Sequence, residues 1–105
     1  MAGKSRKQQI EDLLAADPND AFLRYGLAME YVSEGDDAGA VRCFRELLAA
    51  APDYVPAYMQ AGLALSRQGH TDEARAVWQQ GTAAAQRQGD RHAAEEMQGF
   101  LAGLE

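Results

Sequence analysis

The chain has 105 residues, 47% of them hydrophobic, and a net charge of −6, which suits one domain with one modest core. That acidity argues against a nucleic-acid binder, which carries a basic face, and no apolar run approaches the ~20 residues that a membrane-spanning helix needs. Cys43 is the one cysteine, so no intrachain disulfide forms; with no apolar signal-peptide core at the N-terminus, a cytoplasmic protein is expected.

The elements follow in order. Residues 1–5 are small, polar and charged and read as a flexible tail, with Lys4, Arg6 and Lys7 forming a small basic, solvated cluster. From Arg6 the residues Ile10, Leu13 and Leu14 fall at helical spacing and predict a helix that buries one edge; Asp17-Pro18 ends it. Asp20 is a good N-cap for a second helix from Ala21. At ~100° per residue this helix has two apolar sides, Leu23, Leu27, Ala28 and Tyr31 on one and Phe22, Tyr25, Met29 and Val32 on the other. Gly35 is placed for a left-handed C-cap. A third helix runs from Asp37 to Ala50 with the stripe Ala40, Val41, Phe44, Leu47, Leu48 and Ala51, and Pro52 closes it. A fourth, from Val55 to Arg67, tolerates Pro56 in its first turn; its stripe is Tyr58, Ala61, Gly62 and Leu65, with Met59 and Leu63 on the other side. After Gly69, Thr71 is the expected cap of a fifth helix that buries Ala74, Val77, Trp78 and Gly81. Gly89 and Asp90 then separate a sixth helix whose arc is Ala93, Ala94, Met97, Phe100, Leu101 and Leu104. It is expected to cap the chain and to cover Trp78 and Val77. Gly99 and Gly103 lie opposite its arc and face water.

A shift of ~34 residues brings these elements into register. Pro18 falls on Pro52, Leu27-Ala28 on Ala61-Gly62, Tyr31 on Leu65, Gly35 on Gly69, Ala40 on Ala74 and Phe44 on Trp78. Small residues at Ala28, Gly62, Ala40 and Ala74 let paired helices approach closely, and the aromatic at Phe44 or Trp78 fills the space toward the next helix. Helix–turn–helix units of this length and signature resemble the tetratricopeptide repeat (TPR) family. Two positions depart from its pattern: Arg24 stands where a large apolar residue is usual, and Leu47 where a small one is. The resemblance implies an all-α fold, a TPR-like α-solenoid in which antiparallel helix pairs wind into a right-handed superhelix of about six helices. Residues 6–105 form the single domain, with 6–17 a half-repeat helix, 18–51 and 52–88 the two repeats and 89–105 the C-terminal capping helix.

Residues able to carry chemistry are sparse. Gly3-Lys4-Ser5 lacks the upstream glycine and preceding strand of a phosphate loop. His70 and His92 have no Cys or His at metal-ligand spacing, and Cys43 sits at the edge of a helix stripe as half-buried packing. No catalytic residue, metal site or cofactor is read, and the expectation is a non-enzymatic protein. By the resemblance, the first helix of each pair lines the inner surface of the stack, which places Phe22, Tyr25, Met29, Val32, Met59 and Leu63 there as candidate peptide-binding residues. In chaperone-adaptor TPR proteins, Lys and Asn on that surface grip a peptide's terminal carboxylate; here Tyr25, Met29, Met59 and Leu63 hold those places. The expected partner is therefore a protein or peptide with apolar anchors, with no nucleic acid and no membrane, and the chain is a monomer or weak homodimer. The alternative is a self-contained structural subunit, or a homodimer, whose inner face is filled by its own chain or its mate.

Overall fold

Three glycines divide the chain. Gly35, Gly69 and Gly89 have φ of 77°, 79° and 71°, the left-handed region open to glycine at little cost, and each follows a helix end. The computed structural model, which describes residues 3–104, contains α1 (Arg6–Ala16), α2 (Ala21–Ser33), α3 (Asp37–Ala50), α4 (Val55–Arg67), α5 (Thr71–Arg87) and α6 (Arg91–Gly103). Among the described residues there is no strand. Met1 and Ala2, the outer part of the expected tail, lie outside the described residues.

Local chemistry accounts for the helix starts. Ser5 accepts from the Gln8 amide while the Gln8 side chain accepts from the Ser5 amide, a complete capping box that fastens the start of α1. The carboxylates of Asp20, Asp36 and Asp90 accept from the amides of Leu23, Gly39 and Ala93, satisfying one orphan donor at each start. Thr71 is not a cap. It is the first residue of α5, and His70 holds the N-cap position without a side-chain bond, so Asp72 and Glu73 in the first turn are left to complement the dipole.

The helices stack in chain order, each packed on the next, with α4 also touching α6, and the molecule is elongated at 49 × 28 × 20 Å. This is an all-α, TPR-like solenoid. Ala28, Ala40 and Ala74 are fully buried, and Gly62 lies so close under the Trp78 indole that a Cβ there would overlap it. Phe44 is fully buried, and the Trp78 ring lies 5.0 Å from that of Phe100 on α6. Val77 lines a groove with Val41, Leu48, Tyr58 and Leu65 of α3 and α4; its position on α5 is one residue, about 100°, away from Trp78. The basic cluster is not simply solvated: Lys4 pairs with Asp12, and Lys7 bridges to Glu34 at 3.2 Å and lies 3.8 Å over the Tyr31 ring. The Lys7 contacts join α1 to the end of α2, which matters because α1 has no buried residue of its own.

Two glycine-to-alanine changes should have opposite signs. At Gly81 a Cβ would lie 2.5 Å from the Tyr58 Cβ and 2.6 Å from the Met97 Sδ. The Tyr58 Cβ is fixed to the α4 backbone, so α4 and α5 must separate. Overpacking of ~1–3 kcal/mol then outweighs the ~0.8–1.0 kcal/mol gain in helix propensity. At Gly99 a Cβ meets nothing within 4 Å, so only the propensity gain remains. Urea midpoints should fall for Gly81→Ala and rise for Gly99→Ala.

Candidate functional site

The six candidate residues occupy two neighbouring first helices. On α2, Phe22, Tyr25, Met29 and Val32 recur at spacings of three, four and three, which keeps them on one side; on α4, Met59 and Leu63 are four apart. Their environments differ. Phe22 is 74% exposed. Tyr25, Met29, Val32, Met59 and Leu63 are partly buried and pack against the core. Tyr25 is tied in most firmly, with its ring 6.0 Å from that of Phe44 and 5.5 Å from that of Tyr54, just before α4. Burial, reinforced by Tyr54, raises the Tyr25 phenol above its ordinary pKa, so it stays neutral. The Met59 carbonyl accepts from Trp78 Nε1 at 3.2 Å, which fixes the backbone behind the Met59 side chain.

Other surfaces offer less. A groove of about 280 Å³ opens on α3, α4 and α5, lined by Val41, Arg45, Leu48, Tyr58, Val77 and Gln80. Arg45 lies on it and is engaged by Glu73 at 2.9 Å. Cys43 is half-buried; burial first, then Glu46, raises its thiol pKa, against a smaller pull from Arg42, Lys7 and Arg24, so it is not an activated nucleophile. Both histidines are exposed and lie 3.9 Å from a glutamate, His70 by Glu73 and His92 by Glu96. Among the described residues no helix is long and apolar enough to cross a membrane.

Leu13 was not among the candidates, yet it is 55% exposed. The narrowness of the α1 stripe was the available signal: with Ile10 and Leu14 at the α2 contact, one member had to face out.

A tetratricopeptide repeat family model matches residues 23–54. The chain is similar to the TPR repeat-containing protein PA0015 of Pseudomonas aeruginosa, at 33% identity over 91% of each chain. Its structure is similar to that of the protein BPP2914 from Bordetella parapertussis, with a TM-score of 0.84 and 31% identity over 97% of this chain and 89% of that one. It is also similar to a tetratricopeptide repeat domain protein from Salinibacter ruber, with a TM-score of 0.79 and 33% identity over 84% and 89%. The chain belongs to the tetratricopeptide repeat family, whose repeats generally mediate protein–protein interaction and whose members are typically non-enzymatic scaffolds.

Proposed function

We propose that this protein is a non-enzymatic interaction module that holds a peptide segment or partner helix on the face of Phe22, Tyr25, Met29, Val32, Met59 and Leu63. The observation that carries the reading is Phe22, an aromatic side chain left 74% exposed beside partly buried apolar neighbours on the same side of α2. Aromatic and methionine side chains give adaptable apolar contact. Phe22 supplies the area a partner would cover, and Tyr25, Met29 and Met59, packed against the core, supply firmer apolar surface on the same helices. The net charge of −6 favours a partner with a basic rim.

Phe22→Ser tests this without disturbing the core, since exposed positions usually change stability by less than ~0.5 kcal/mol. A photo-crosslinking phenylalanine analogue at position 22, in cells expressing the full chain, should trap a distinct protein that the same analogue at the exposed Arg42 does not. Adducts from both positions alike, or none at 22, would contradict the proposal. An adduct of twice the chain mass would instead favour a homodimer that fills its own face.

A further inference from the structure

Leu13 and Phe22 are the large apolar residues left exposed among the described residues, at 55% and 74%, and they sit on different helices. The packing of α1 on α2 brings them together. Ile10 Cδ1 would lie 3.6 Å from a Cβ at Gly26, and Arg6 faces Glu30 at 3.8 Å. Both contacts fit one antiparallel register. Carried a turn onward, three residues past Ile10 and four before Gly26, that register sets Leu13 level with Phe22. Leu13 is also on the Ile10 and Arg6 side of α1 by helical spacing. The two side chains thus flank one seam, closed at its end by the turn of residues 17–20.

The charge around this seam is one-sided. The cations before and along α1 and on α2 are already engaged: Lys4 by Asp12, Arg6 by Glu30, Lys7 by Glu34, and Arg24, whose Nε donates to the Pro18 carbonyl in the turn at 2.7 Å, by Glu46 at 3.8 Å. Among the described residues, no cation lies within ion-pair distance of Asp17 or Asp20 in the turn. The Asp20 carboxylate accepts from the Leu23 amide at 2.9 Å. A second copy carries the same acidic turn and the same net charge of −6, and like charges across an interface are penalised. A cationic partner meets the opposite situation.

We infer that the Leu13–Phe22 seam is an anchor site for a basic peptide, taking one large apolar side chain between the two residues while neighbouring Lys or Arg face Asp17 and Asp20. This rests on the proposed interaction face and extends it from α2 onto α1, with a stated partner chemistry.

The test is selection of short random displayed peptides on the full chain, followed by fluorescence anisotropy with the most enriched peptide, labelled. That peptide should carry a large apolar residue flanked by Lys or Arg. Leu13→Ser and Phe22→Ser should each weaken it by ~10-fold or more, as expected for a central anchor. Asp17→Asn with Asp20→Asn should weaken it several-fold and flatten its salt dependence, with helicity unchanged because asparagine also caps. Binding that falls with Phe22→Ser or Met29→Ser but ignores Leu13→Ser, or enriched peptides without basic residues, would overturn this inference and leave the proposed function standing. Binding indifferent to all these changes, or a library that yields no binder, would contradict both. A free chain that sediments as a dimer and is dissociated by Leu13→Ser would overturn the inference in favour of self-pairing.

Discussion

Trp78→Ala should lower stability by ~3–5 kcal/mol, the usual cost of truncating a buried tryptophan. In a domain of this size each kcal/mol is worth ~4–8 °C, so the variant should melt at least ~12 °C below the parent. The reason is position more than size. The indole is 3% exposed and joins three helices: it starts on α5, covers Gly62 on α4 and lies tilted against Phe100 on α6, centroids 5.0 Å apart. Its Nε1 also donates to the Met59 carbonyl at 3.2 Å. A solenoid is stabilised by interfaces between neighbours, and the six helices among the described residues leave few others to absorb the loss of this one. A thermal melt monitored at the helical circular dichroism band checks it; a shift of only about one or two degrees would mark Trp78 as peripheral, against its geometry.

Ending the chain at Gln88 should do more than remove one helix. Met97 is fully buried, and its Sδ approaches the Gly81 position. Burying such a side chain is worth ~1.5–3 kcal/mol. Phe100 is lost at the same time, and with it the cover over Trp78. Against a total of ~5–15 kcal/mol for a small domain, the remainder becomes marginal and presents an apolar patch, which invites association. Sedimentation velocity should show oligomers, and the melting temperature should fall. A monomeric fragment with unchanged melting would show that α6 is an appendage and not a cap.

The fold was legible because the repeat writes the same physical demand twice. Gly35 and Gly69 turn the chain with φ near +78°, Ala28 and Gly62 admit a neighbouring helix, and Phe44 and Trp78 fill what is left. A helical wheel, however, treats each helix alone. It separates Tyr25 from the intra-hairpin stripe but cannot show that its ring reaches Phe44 and Tyr54, because that contact depends on how α2 meets α3 and the approach to α4. For the same reason it groups Val77 with Trp78, although the two sides of α5 face different neighbours. Thr71 is a favourable cap by residue type, yet the turn after Gly69 sets the helix start one residue too early for it. Leu13 and the partners of Lys7 depend on how α1 meets α2, whose register no single-helix pattern contains.

The proposal makes the α2 and α4 side bearing Phe22 and Met59 the working surface, and not the groove of Val41, Leu48 and Val77. The most direct measurement is a nitrogen–proton correlation titration of the labelled full chain with a peptide selected on it. The largest amide and side-chain shifts should fall on Phe22, Tyr25, Met29, Val32, Met59 and Leu63, and on Leu13 and the 17–20 turn beside Phe22, with α3 and α5 outer positions unmoved. Shifts centred instead on Val41, Leu48, Val77 and Gln80 would place binding in the α3–α4–α5 groove and contradict the proposal.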